Sequence, residues 1–327
     1  MFTHPQFKNC KLFFKKVSEA NLKNKLADFF PNKNIIFTDL GRSAFQLAIK
    51  SLDLQNSEML VPAYICDIFK PIFKEYNIKP IYLDIDLETF HIKSEEIEKK
   101  ITENTKSILI CHTYGLLANK ALETAQKHNL KIIEDCAHIF PKKISGNCAF
   151  FSFSKIVPSI NGGMLVCEKP INIKLKKYKI KLFNIIKYLR LFPCLAKISE
   201  KFRSETKLLN NKLSIPRKAS KKSLKIFNYY LNDKKTELAK YFQEKLQELG
   251  FQVSFGTTYI SALVPKNINR DQLFENLRKR NIYCSRIWHK PLYPNLPNTL
   301  EASKRIINFP LQNWFTKKHI DKIISCI

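Results

Sequence analysis

Residues 131–163 read K-I-I-E-D-C-A-H-I-F-P-K-K-I-S-G-N-C-A-F-F-S-F-S-K-I-V-P-S-I-N-G-G. Apolar runs of strand length fall at 131–135, at 148–152 and, just after Gly162, at 163–167. The first run ends on Asp135, with His138 three residues on, and the second is followed almost at once by Lys155. Side chains alternate along a strand, so Glu134 points to the face opposite Asp135. Alone, an Asp at a strand end reads as a helix cap, and a lone loop Lys reads as surface decoration. Paired, and followed by Gly162-Gly163 opening the next strand, the two read as a site at one edge of a sheet.

Working outward, strands are expected at 34–38, 58–61, 79–84 and 106–111, and helices at 43–53, 64–76, 93–101 and 117–129. Ser43 and Ser94 are plausible caps for two of these helices. Alternation of this kind implies βα crossovers and a mostly parallel sheet, hence an α/β fold. Ligands gather at the carboxyl ends of such strands. There the sequence carries D-L-G-R-S (39–43), P-A-Y-I-C (62–66) and H-T-Y-G (112–115) besides the E-D-C-A-H and S-F-S-K segments. Beyond residue 230 the pattern is a helix at 233–249 stopped by Gly250, strands at 251–254, 258–264 and 281–288, and helices at 270–280 and 316–325. We therefore expect a large domain over 1–230 and a smaller C-terminal α/β domain over 231–327.

The shared order and spacing of these segments resemble the DegT/DnrJ/EryC1/StrS sugar aminotransferases, a family of fold type I pyridoxal-phosphate enzymes with the aspartate-aminotransferase fold. L-G-R-S-A-F-Q-L-A-I (40–49) is similar to the family's cofactor-phosphate turn and first helix, and L-V-P-A-Y-I-C (60–66) to its second strand and turn. Y-L-D-I-D-L-E-T-F-H-I (82–92), H-T-Y-G, I-I-E-D-C-A-H (132–138) and N-F-P-L (308–311) also match family segments. S-F-S-K-I-V-P-S-I-N-G-G (152–163) resembles a short form of its lysine loop.

The resemblance implies roles. Lys155 is the Schiff-base lysine and carries a proton during turnover. Asp135 pairs with the pyridine nitrogen of pyridoxal 5'-phosphate and tunes its electronics. His138 lies near the ring and its phenolic oxygen; a satisfied core histidine is the other reading. Gly41, Arg42 and Ser43 offer donors to the cofactor phosphate at a helix start, and Ser152 adds a hydroxyl. The implied function is transfer of an amino group, from glutamate as donor, to a nucleotide-linked keto-sugar in surface glycan synthesis, by a homodimer. Three departures stand out: Cys66 occupies the position where the family stacks an aromatic ring on the cofactor, the stretch from His138 to Ser152 is short, and no N-Y-R-M segment is recognisable, with Arg217 its weak substitute. Two other readings stay open. One is a sugar dehydratase, although such members replace the lysine by histidine. The other is a non-catalytic, membrane-associated binding paralogue.

Composition bounds the rest. The chain has 327 residues, 45% of them hydrophobic, enough for a real core. With 7 Gly, it contains neither G-x-G-x-x-G nor G-x-x-x-x-G-K. Its net charge of +28 favours acidic partners, but no nucleic-acid motif accompanies it. Residues 168–230 form a basic segment, with 18 Lys/Arg in 169–225 against Glu200 and Glu205. Within it Leu175, Tyr178, Leu182, Ile185, Leu189 and Phe192 fall on one helical face. That predicts either an ordinary packed helix or, over 174–192, peripheral contact with anionic membrane. The nine cysteines lack C-x-x-C and zinc spacings, and Cys111, Cys148 and Cys167 read as small buried hydrophobes. A cytoplasmic location is expected, with no membrane span and no bound metal.

Overall fold

The computed structural model describes residue 1 and residues 5–7, 18–178, 189, 191–192, 195–196, 215–231, 236–256 and 258–327. Ten strands are described: β1 (Asn34–Thr38), β2 (Glu58–Pro62), β3 (Lys79–Leu83), β4 (Thr105–Cys111), β5 (Lys131–Asp135), β6 (Cys148–Ser152), β7 (Gly163–Cys167), β8 (Gln252–Ser254), β9 (Ile260–Leu263) and β10 (Ile306–Phe309). The first seven make one sheet in the order β1-β7-β6-β5-β4-β2-β3. From β3 to β6 the pairs are parallel, and β7 runs antiparallel to both β6 and β1. The carboxyl ends of β1, β2, β4, β5 and β6 therefore share one edge with the amino end of β7.

Both faces of this sheet are covered, which is why its strands read as continuous apolar runs. Met59, Val61, Leu109, Ile133, Phe150 and Leu165 pack on one face with Phe45, Leu47 and Ile49 of α2 (Gly41–Ser51). Their neighbours Leu60, Ile108, Ile110 and Ile132 pack on the other face with Ala121, Leu122 and Ala125 of α5 (Asn119–Lys127). The period-two alternation within each run thus decides which core each side chain joins. Burial of one such Leu, Ile or Phe contributes about 1.5–3 kcal/mol.

The remaining helices in chain order are α1 (Glu19–Ala27), α3 (Lys70–Glu75), α4 (Ser94–Lys100), α6 (Phe153–Ile156), α7 (Lys221–Tyr230), α8 (Thr236–Glu248), α9 (Arg270–Lys279), α10 (Pro297–Arg305) and α11 (Lys317–Ile324). A second, antiparallel sheet, β10-β9-β8, shares its own core with α8, α9 and α11 through Phe242, Leu246, Leu277, Phe309 and Ile320. Met1 packs against this second core, and the Tyr283 N–H donates to its carbonyl at 2.7 Å. No helix among the described residues is long and apolar enough to cross a membrane.

The structure departs from the sequence expectations at five places. Ser43 is not the cap of α2: the helix starts at Gly41 behind Leu40, and the Ser43 hydroxyl turns inward to donate to Asp39 Oδ1 at 2.7 Å. Ser94 is the first residue of α4 rather than its cap, which is Lys93. Residues 64–66 do not join the helix expected over 64–76. They stay extended because Tyr293 N–H and Leu292 N–H donate to the Ala63 and Ile65 carbonyls. Residues 281–288 form no strand, since Asn281 and Trp288 take left-handed φ of 61° and 63°; Tyr283 and Ser285 make only isolated bridges, that of Ser285 to Asn308. The basic segment does not begin as a helix at 174, because Leu175 is buried in the main core and Lys176 bridges to Arg217. Leu182 and Ile185 lie outside the described residues.

Candidate active site

Asp135 is the last residue of β5 and is buried. Its Oδ1 accepts the Ala137 N–H at 2.8 Å. Burial pushes its carboxyl above the usual range, opposed by the charge of Lys155 and by the Ala137 hydrogen bond. Glu134, on the opposite face, bonds His112 Nε2 at 2.7 Å and accepts the N–H groups of Ser145 and Gly146. It ties down the short loop between His138 and Ser152. His112, Glu134 and Cys136 bring three potential metal-ligating atoms together. Two of the three are already committed, because His112 Nδ1 accepts the Ala118 N–H.

Lys155 sits in the single turn of α6, directly after β6. Gly162, at φ +100°, lets the chain return: its N–H donates to the Asp39 carbonyl and its carbonyl accepts the Phe153 N–H. A Cβ there would lie 2.5 Å from the Phe153 ring. The Lys155 amine lies 3.1 Å from His138 Nε2. His138 Nδ1 accepts the Tyr114 N–H at 3.1 Å. Burial first, and the Lys155 charge second, push the His138 pKa well below the usual histidine value. The ring is therefore neutral, and because Nδ1 accepts, its proton is on Nε2, which bonds Lys155 only when that amine offers its lone pair.

The third component is the N-terminus of α2. No side chain caps it at Leu40, and its first turn carries no acidic residue. Such a terminus presents N–H groups and the positive end of the helix dipole. Gly41 allows a close approach here: a Cβ would meet Ser152 Cβ at 3.0 Å and the Phe151 carbonyl at 3.1 Å. Arg42 stands beside the buried Asp39, whose charge opposes the lowering that burial imposes on the guanidinium.

These groups converge on one cavity of about 310 Å³. Gly41, Arg42, Cys66, Asp135, Ser152 and Lys155, all singled out in the sequence, line it. His138 reaches it through Lys155. Ser43 does not line it: its hydroxyl is spent on Asp39 and its N–H on the Leu40 carbonyl. Arg217 does not line it: its carbonyl accepts the Asp39 N–H, and its own N–H donates to Asp39 Oδ1. Sequence reasoning missed Leu40, Ile68, Phe69, Ala137, Phe150, Ser154, Ile160 and Trp288, which complete the lining. Leu40, Ala137, Phe150, Ser154 and Ile160 lay inside quoted segments. Trp288 had only its rarity as a signal, being one of two tryptophans. A cavity holding an amine, a carboxylate, a neutral imidazole and an uncapped helix start suits a ligand with an anionic group, a basic ring nitrogen and an electrophilic carbon.

Comparison with known proteins agrees with this chemistry. A family model described as the DegT/DnrJ/EryC1/StrS aminotransferase family matches residues 15–327. The chain is 32% identical to GDP-perosamine synthase of Escherichia coli O157:H7 over 46% of its own length and 45% of that protein's. It thus spans under half the length of that curated relative. It is 24% identical to dTDP-4-amino-4,6-dideoxy-D-glucose transaminase of Shigella dysenteriae over 94% of this chain and 88% of the other. Among solved structures, an aminotransferase of the same description from Brucella abortus superposes with a TM-score of 0.71 at 18% identity, covering 96% of this chain and 91% of that one.

Proposed function

The chain belongs to the DegT/DnrJ/EryC1/StrS aminotransferase family, and from that premise we propose that it moves an amino group from a donor such as glutamate onto a nucleotide-linked keto-sugar. The observation that carries the reading is the meeting of Lys155 and Asp135 in the cavity that the N-terminus of α2 also lines, with His138 behind the Lys155 amine. The residues fit pyridoxal 5'-phosphate. Asp135 would hold the ring nitrogen, and Lys155 would hold the aldehyde carbon. The Gly41 and Arg42 N–H groups and the Ser152 hydroxyl would hold the phosphate, at a terminus no side chain caps. Cys66 lines the cavity without an aromatic face.

When bound, the cofactor supplies an aldehyde that exchanges amines and a ring that takes up the electron pair released at the substrate carbon. The protein's part is to bind, orient and move protons. Released from the cofactor, the Lys155 amine is the base and acid that carries the proton. His138 orients it, since the Tyr114 N–H fixes the ring so that Nε2–H faces the amine. Asp135, whose carboxyl burial pushes up, would have its ionised form favoured further by a ring cation beside it. The net charge of +28 favours approach of a diphosphate-bearing sugar.

The test is the visible spectrum of the purified protein with added pyridoxal phosphate, followed by borohydride reduction and peptide mapping. We expect a yellow protein, an adduct on Lys155 alone, and bleaching on addition of glutamate. A colourless protein with Lys155 unmodified would overturn the reading.

A further inference from the structure

Trp288 lines the cavity, yet it holds a backbone conformation that a bulky side chain rarely adopts, at φ +63°. Such strain costs about 1–3 kcal/mol and persists only where the surroundings enforce it. Here they do. The Ile287 N–H donates to Asn308 Oδ1 at 2.7 Å. The Tyr64 and Tyr114 hydroxyls, 2.9 Å apart, lie 3.2 and 3.1 Å from the Ile287 carbonyl. Both backbone polar groups of Ile287, the residue before Trp288, are thus held, the N–H from β10 and the carbonyl from the first sheet's loops.

The clamp sets the indole edge-on to Tyr64 at 5.5 Å and within 26° of parallel to the His138 ring at 5.2 Å. The Lys155 amine lies 5.8 Å from its centre. Tyr64 and Tyr114 beneath it have no exposure at all, whereas Trp288 is only half-buried and gives its remaining surface to the cavity. A large flat apolar face beside a reacting amine, in a cavity that also presents Arg42, Asp135 and Ser152, complements one ligand class well. A pyranose has an apolar C–H face and a polar hydroxyl rim, and C–H groups carry the positive edge that the negative face of an indole attracts.

We propose that Trp288 is the residue on which the substrate's sugar ring rests, so that it sets the orientation of that ring towards Lys155. This rests on the nucleotide-sugar reading above and adds the contact that recognises the sugar rather than the nucleotide.

The test uses the full chain with pyridoxal phosphate added. The probes are dTDP-glucose, GDP-mannose and UDP-glucose, each against its parent nucleoside diphosphate. Trp314→Phe leaves Trp288 as the sole tryptophan, and its emission should change saturably with a nucleotide-sugar. Trp288→Ala should weaken binding of that nucleotide-sugar about tenfold, and Trp288→Phe by about threefold or less. Binding of the parent nucleotide and the borohydride-trapped adduct on Lys155 should not change. Equal weakening for sugar and nucleotide would assign Trp288 to the base and overturn the proposal. So would unchanged binding in Trp288→Phe and Trp288→Ala, an unresponsive emission, or failure of the parent protein to bind any of the three. Absence of a Lys155 adduct would defeat the aminotransferase reading alone, because the sugar-versus-nucleotide difference is read without turnover. If Trp288→Ala does not fold, Trp288→Phe and the emission decide.

Discussion

At the scale of single residues, the molecule controls protonation by burying histidines among fixed donors and acceptors. Tyr114, held at φ 57°, aims its N–H at His138 Nδ1 and so decides which nitrogen of that ring faces Lys155. His91 behaves in the same way on the far side of the 112–116 turn. Its Nε2 lies 3.0 Å from the Leu116 carbonyl. Burial, then the charge of His112, push its pKa down to about 4, against the pull of the Leu116 carbonyl and Asp86. The unfolded chain takes up this proton near pH 6.5, whereas the folded chain does so only near pH 4. Between those values the unfolded state binds more protons, so stability falls as pH falls, by up to about 3 kcal/mol for this group, and levels off below. Urea midpoints from pH 8 to 4 should therefore drop less steeply in His91→Asn than in the parent. Parallel pH profiles would show that His91 contributes nothing to the slope.

At the scale of elements, α2 does two jobs that its sequence separates by position. Its body is buried almost throughout, with Ala44, Phe45, Leu47, Ala48 and Ile49 in the core, which anchors the helix against the sheet. Its first turn stays uncapped and non-acidic, so an anion is the partner that satisfies it. Gly41 is the position where both demands meet, since a Cβ would press on Ser152 and the Phe151 carbonyl. Gly41→Val should therefore displace Ser152 and weaken pyridoxal-phosphate binding by about tenfold or more, the cost of one charge-assisted hydrogen bond. Titration by absorbance checks this, with the melting temperature as control. An unaltered affinity in a folded variant would remove the helix start from the phosphate site. The neighbouring α6 depends on its turn in a different way: Gly162 returns the chain so that four residues suffice to present Lys155.

At the scale of the whole molecule, the two sheets are joined by hydrogen bonds between segments far apart in sequence. Asp84, just past β3, receives the Asn298 N–H on Oδ2 and the Thr299 N–H and hydroxyl on Oδ1, each at 2.9 Å. It serves as the cap that α10 lacks, since Leu296 provides none. Asp84→Ala should lower unfolding free energy by about 2 kcal/mol, read by urea denaturation, because it removes an N-terminal cap and strands buried donors. A loss under about 0.5 kcal/mol would mean that the junction does not depend on it. The sequence by itself determined the strands of the first sheet, because a sheet covered on both faces demands apolar runs whose ends are marked by polar residues. It also put Asp135 and Lys155 at one sheet edge, because Asp135 ends one such run, Lys155 follows the next within three residues, and their separation along the chain is short. It was silent where a side chain's position depends on distant partners. The antiparallel placement of β7 between β1 and β6 follows from pairing that no local pattern encodes. Ser43 looked like a cap until Asp39 turned its hydroxyl inward. Trp288 sat in what read as a strand, and only the clamp from Tyr64, Tyr114 and Asn308 carries it to the site. Local periodicity records which face of an element is buried, whereas contacts over more than a hundred residues decide what each buried face meets.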